Sequence, residues 1–428
     1  MMIFIALSQL IISNNIPVYF EENTTSQAFQ ASFLFHTPNE EKTSFIEKKV
    51  FATLLSQAGS VGVSQEVSSQ NMLSIQMLNA LNVSFSFLQN FFNISIFSID
   101  DNIEATLQFL DQSFFRPNFI QKDTESLLRV QKELVASNLL SKSGYVEFLL
   151  NKIFSLSPTK AENPLDFFTT YSEKNRMSML QKIQKSPVIF FVQGSKKNLE
   201  KFTSFLSKKN LQFKEKFSLS MNNISQKKEK FLFIFEDETL DSSKIFLKNS
   251  KRTPQLSHHF YEKFLTESYL FGLDSLFMQE FREQKKLVYS INGSLYFDSN
   301  YMASVSELMT STSKPQELLK ILFTFLKKDL FSQSSFKKKL QAFPTRHSIQ
   351  MQNFKYRTQL LFSNILFPRK NEDFSTLRIT KDLSFYKESL LQSSIFITGP
   401  KNQVKGIDLV GYKKIIITDP VEFLKKDN

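Results

Sequence analysis

Residues 271–290 read FGLDSLFMQEFREQKKLVYS, and the order of elements in this stretch sets the frame for the rest of the chain. The apolar recurrence of Leu273, Leu276, Phe277 and Phe281 closes a helix predicted over His259–Gln284. The basic Lys285 and Lys286 end that run, and an apolar, β-prone strand follows over Val288–Phe297. A long helix turning directly into a strand indicates mixed α and β structure.

The same order of elements is predicted twice. In the first part, strands Ile3–Ile12 and Ile16–Glu21 form a hairpin turning at Ser13, Asn14 and Asn15. A strand over Ala28–Phe35 leads to a helix over Glu40–Ala58, striped by Ile46, Val50, Leu54 and Ala58. Strands are expected near Ser60–Gln70, Met72–Leu78 and Val83–Leu88, then helices at Ile103–Phe115, Lys122–Ser141, Tyr145–Phe154 and Leu165–Ile183. A buried strand, Val188–Val192, runs into Gly194, and a helix covers Asn198–Lys208. In the second part, strands near Phe231–Phe235 and Lys244–Leu247 precede the long helix, and strands Val288–Phe297 and Met302–Met309 follow it. Helices are expected at Pro315–Leu330 and over Ser332–Ile365, then a closing strand Ile395–Thr398 that runs into Gly399. The two parts lie about 200 residues apart, too long a period for a solenoid, so an internal duplication is expected. The polar stretch 217–230 is the linker, dividing the chain into 1–216 and 231–428.

Composition limits the chemistry. The 428 residues, 41% hydrophobic, are enough for more than one core and argue against general disorder. Cysteine is absent, which removes disulfides, thiol nucleophiles and cysteine zinc sites. The four histidines, His36, His258, His259 and His347, include no pair spaced to share a helical face around a metal. The 48 phenylalanines, with no tryptophan, do the core filling. The net charge of +12 permits an acidic partner without requiring one, and runs such as Lys337–Lys339, Lys285–Lys286 and Lys327–Lys328 are expected to be solvated. No nucleic-acid-binding motif is recognised, so no nucleic-acid partner is expected. The apolar start, MMIFIALSQLII, lacks the basic residues of a signal peptide, and no run reaches the ~20 residues of a membrane span. A soluble protein is expected, its compartment left open.

The stretch from Gly272 through Ser275, Leu276 and Phe277 to Arg282, Glu283, Leu287, Tyr289 and Ser290 resembles a conserved-order segment of the pitrilysin, insulinase and mitochondrial-processing-peptidase family of zinc metallopeptidases. Lys286 stands where that family usually has glycine, which would alter the helix-to-strand turn. Asn14 to Glu21 is similar to the family's opening hairpin. The resemblance implies an α+β protein of two homologous half-domains, each with the LuxS- and processing-peptidase-like metallohydrolase fold, closing as a clamshell. It also implies where zinc would be held, by His-x-x-Glu-His on the first long helix. Here those positions are Val50, Phe51, Ala52, Thr53 and Leu54, which offer neither ligand nor base. Glu133 is the sole remnant of the family's later carboxylate and is expected to be a solvated helical residue.

No metal or other cofactor is therefore expected in this chain. What the resemblance leaves it is the pair Arg282 and Tyr289, which in the family reaches substrate across to the metal-bearing half. Some bacterial members divide zinc motif and Arg/Tyr pair between two chains. The resemblance thus implies an inactive subunit whose partner is a zinc-bearing peptidase paralogue and whose substrate is a peptide. The alternative is an inert scaffold, like the core subunits of a membrane respiratory complex.

Overall fold

The computed structural model describes residues 9–23, 27–37, 45–56, 74, 76–78, 80–88, 91–116, 121–140, 142–154, 168, 173–215, 217, 229–252, 267–271, 275–298, 303–328, 338, 341–342, 345, 349, 352–354, 356–358 and 386–425. The chain forms two compact units. One takes Met1–Ala136, Glu162–Ser218 and Phe354–Leu366; the other takes Ser137–Ala161, Leu219–Asn353 and Phe367–Asn428.

The first unit holds strands β1 (Gln9–Ser13), β2 (Ile16–Glu22), β3 (Ala28–His36), β4 (Asn82–Leu88), β5 (Phe91–Ile99), β6 (Pro187–Gly194) and β7 (Gln212–Phe213). Asn14 and Asn15 both take positive φ, 49° and 64°, in the two-residue turn of the opening hairpin. Asparagine tolerates that region better than most residues, and such a turn matches the twist of the strands it joins. The sheet order is β1-β2-β6-β3-β5-β4, with β7 joining the end of β6. Among its helices are α1 (Phe45–Ser56), α2 (Ile103–Leu110), α3 (Gln121–Leu139), α5 (Glu173–Gln184) and α6 (Lys196–Ser207). One sheet face presents Phe29, Phe33, Phe35, Phe92 and Phe190 to helical residues including Phe51, Leu107, Leu180 and Phe202. Some rings meet edge-on, as Phe33 does on Phe190 at 4.9 Å and on Phe202 at 5.5 Å, and others stack, as Phe33 does on Phe35.

The second unit holds β8 (Phe231–Glu236), β9 (Ser243–Arg252), β10 (Ile291–Asp298), β11 (Ala303–Thr312), β12 (Ser394–Gly399) and β13 (Lys413–Ile417), in the order β10-β11-β9-β12-β8-β13. Its helices include α4 (Val146–Phe154), α7 (Pro315–Lys327), α8 (Lys401–Val404) and α9 (Pro420–Lys425). Five strands match the first sheet in order and direction. β2 and β6 are parallel as β8 and β12 are, while β3 and β9 run antiparallel between equivalent neighbours. The correspondence reaches single bonds: Asn23 N–H donates to the Gly194 carbonyl (3.0 Å) as Asp237 N–H donates to that of Gly399 (2.9 Å). The duplication is therefore a property of the fold, and the sixth strand is where the units differ. β1 precedes and pairs antiparallel with β2, whereas β13 follows at the chain end and pairs parallel with β8.

Each unit also receives a segment from the opposite part of the sequence. On the second sheet, Val146 and Leu149 of α4 pack with Phe235 and Phe396. On the first, Phe354 stacks on Phe191 (5.0 Å, planes 14° apart), and Arg357 Nε donates to Glu21 Oε2 at 2.8 Å. Phe191 and Phe396 are equivalent, each three residues before its strand's terminal glycine.

Several expected elements differ. β5 was not anticipated, although it pairs with both β3 and β4. Residues Ser74 and Gln76–Leu78 are helical where a strand was expected, and 60–70 lies outside the described residues. Ile395–Thr398 does not close the sheet, because β13 follows it. β3 is central, flanked by β5 and β6, so His36 ends an interior strand. Of the helix expected over Ser332–Ile365, only isolated residues are described.

Candidate functional site

The Arg282 and Tyr289 segment rests on an aromatic column. Phe277 meets Phe271 edge-on at 4.9 Å, Phe281 at 5.6 Å and Phe325 of α7 at 5.4 Å, all in the core of the second unit. Phe271 reaches this position because Gly293 of β10 has no side chain; a Cβ there would run into the ring and lie 2.8 Å from the Glu307 carbonyl. Ser275 Oγ accepts the Met278 N–H at 3.2 Å at the start of the helical run, which continues in π geometry over Met278–Gln284. Single π turns recur at functional sites.

The run ends at Lys285, whose N–H donates to the Glu280 carbonyl at 3.0 Å. Lys286 then takes φ 53°, the left-handed conformation glycine adopts without penalty, and Leu287 N–H reaches back to the Phe281 carbonyl at 2.8 Å. The lysine thus holds a turn suited to glycine. Leu287 and Val288 are buried, and Thr310 Oγ1 donates to the Ser290 carbonyl at 2.7 Å. Tyr289, fixed on both sides, projects outward and is 83% exposed. The Arg282 guanidinium lies over its ring, 5.2 Å from the centroid, and Arg282 Nε is 3.5 Å from Glu283 Oε1.

The sequence pair is therefore adjacent in space. A guanidinium fork and a phenol side by side are hydrogen-bond donors for carbonyl or oxyanion oxygens. They include no base.

The α1 positions that would carry zinc do not fit it. Val50 and Leu54 are buried, 3% and 2% exposed, and neighbouring Phe51 packs on Phe87 and Phe92. Thr53 Oγ1 is committed to the Lys49 carbonyl at 2.8 Å. Glu133 is exposed on α3 and 4.0 Å from Arg129. His36 clusters with the rings of Phe91 (5.1 Å) and Phe217 (5.2 Å), where burial lowers its pKa. His258, His259 and His347 lie outside the described residues. Among the described residues no group of three His, Asp or Glu side chains is placed to hold a metal ion. What sequence reasoning did not identify is the support of the pair: the left-handed Lys286, the Thr310 bond and the Glu283 contact. A lysine gives no signal for positive φ, and Thr310 comes from a strand 20 residues away.

A duplicated half-domain with this strand order defines a class, the fold of the M16-type metallopeptidases and their inactive relatives. No family profile matches the sequence, and no curated protein does. Solved structures do. An M16 peptidase inactive domain from Pseudomonas fluorescens is similar with a TM-score of 0.69 at 14% identity, covering 95% of this chain and 99% of that one. A putative M16-like peptidase from Alicyclobacillus acidocaldarius gives 0.64 at 8% identity, over 91% and 97%. A chain of complex III from Candida albicans gives 0.59 at 11%, over 94% and 98%. At these identities the likeness is one of fold: this chain has the two-half architecture that these M16-type structures share.

Proposed function

We propose that this chain is the zinc-free subunit of a heterodimeric zinc metallopeptidase, giving Arg282 and Tyr289 to the active site of a zinc-bearing partner. The observation that carries the reading is the juxtaposition of the two side chains, the half-buried Arg282 guanidinium 5.2 Å from the centroid of the exposed Tyr289 ring, on a turn anchored at both ends. The loss of ligands from α1 supports it, since nothing there can activate water. The fold shared with inactive M16 domains is consistent with it.

In this role Arg282 binds backbone carbonyls of an extended peptide, docked as an added strand. The Tyr289 hydroxyl donates to the oxygen that becomes negative as the scissile carbonyl is attacked, a contact stronger in the transition state than in the ground state. The partner supplies metal, water and base.

The test is reconstitution with a relative that carries an intact His-x-x-Glu-His motif, using a quenched fluorescent peptide. Cleavage is expected only from the mixture, saturating at one chain of each kind. Equal cleavage by the zinc-bearing relative alone would overturn the proposal and leave a scaffold role in its place.

A further inference from the structure

The turn between Arg282 and Tyr289 carries more charge than donation to carbonyls requires. From Arg282 to Tyr289 there are three cations, Arg282, Lys285 and Lys286, against the single carboxylate of Glu283, which lies beside Arg282. Glu280, one turn back, is half-buried. Lys285 and Lys286 are exposed, and neither has an acidic partner among the described residues. Lys286 also holds a φ of 53°, where a lysine is strained and a glycine is not. Strained residues persist where surrounding structure fixes them, and they gather at binding sites. Solvation of a surface lysine would not require this position. The turn that joins Arg282 to Tyr289 carries both lysines, Lys286 three residues before Tyr289.

We propose that Lys285 and Lys286 select acidic residues in the peptide that Arg282 and Tyr289 bind. The occupant is an extended peptide with Glu or Asp next to the bond presented to Tyr289, matched by charge to a turn whose two lysines have no acidic partner among the described residues. This rests on the reading that Arg282 and Tyr289 meet substrate.

The test uses the full chain and three labelled peptides of equal length, Glu-rich, Gln-rich and Lys-rich, followed by fluorescence anisotropy at low and high salt. The Glu-rich peptide is expected to bind tightest, and added salt should weaken it. Lys286→Asn keeps a residue that tolerates the left-handed turn while removing the charge, and Lys285→Gln removes the other. Each should weaken Glu-rich binding about threefold, and both together about tenfold. A control pair on β13, Lys413→Gln with Lys414→Gln, should leave binding unchanged. Equal affinity for Glu-rich and Gln-rich peptides, or an equal loss in the β13 control, would overturn the proposal. The two readings fail separately. Loss of acidic preference with cleavage still dependent on Arg282 and Tyr289 removes only the selectivity. Lysine-dependent binding with cleavage indifferent to Arg282 and Tyr289 removes the catalytic reading and leaves an acidic-peptide site.

Discussion

Lys286→Gly should stabilise the protein, against the usual expectation for a glycine substitution. A left-handed conformation costs an L-residue about 1–2 kcal/mol, and Lys286 has φ 53°. Glycine removes that cost and adds about 0.5–1 kcal/mol of backbone entropy lost on folding. The net gain is about 0.5–1 kcal/mol, or about 1–4 °C in the transition of a unit of this size. Lys286→Ala separates conformation from charge: it keeps the Cβ, so it should leave the transition within about 1 °C of the parent. Differential scanning calorimetry of the three proteins measures this directly. The reasoning fails if Gly lowers the melting temperature, or if Gly and Ala behave alike.

Glycines ending equivalent strands should respond unequally. A Cβ at Gly399 would lie 2.7 Å from the Ser243 Cα, whereas the nearest atom to one at Gly194 is on the Phe29 ring edge at 3.1 Å. Gly399→Ala should therefore cost about 1–3 kcal/mol in denaturant titration and Gly194→Ala less than about 1 kcal/mol. Asp111 is buried, which alone would raise its pKa, but hydrogen bonds from Arg116 and Lys209 outweigh burial and hold the carboxyl below its usual range. A depressed carboxylate stabilises above its unfolded pKa, so this contribution is lost as pH falls from about 4 downward. Asp111→Asn should flatten that part of a melting-temperature profile and cost about 1–3 kcal/mol at neutral pH. Phe354→Ala removes the stacked ring over Phe191 and should destabilise the first unit by about 2 kcal/mol in the same titration.

What the sequence disclosed and what it hid follow from the range of the interactions. The hairpin at Asn14 and Asn15, and the strands ending at Gly194 and Gly399, are set by local pattern and turn chemistry, so they were readable. β5 was missed although Phe92, Ile94, Ile96 and Ser98 are buried in alternation. Its doubled Phe91 and Phe92 begin the strand with an apolar run, and its pairing with β3 depends on residues 60 positions away. β13, KKIII, opens on two exposed lysines and becomes a strand through β8. The placement of α4 on Phe235 and Phe396, and of Phe354 on Phe191, depends wholly on tertiary packing. Within the site, Arg282 and Tyr289 were named through the family resemblance of the segment that holds them, not from residue type or spacing alone. Their 5.2 Å approach depends on the left-handed Lys286, and its φ has no counterpart in residue type.

The role assigned to Tyr289 is measured most directly by Tyr289→Phe in the reconstituted pair, with kcat and KM determined separately beside Arg282→Ala. Loss of one oxyanion donor predicts a fall in kcat of about 100-fold with KM and one-to-one assembly retained. A kcat equal to that of the parent, in an intact complex, would contradict the account.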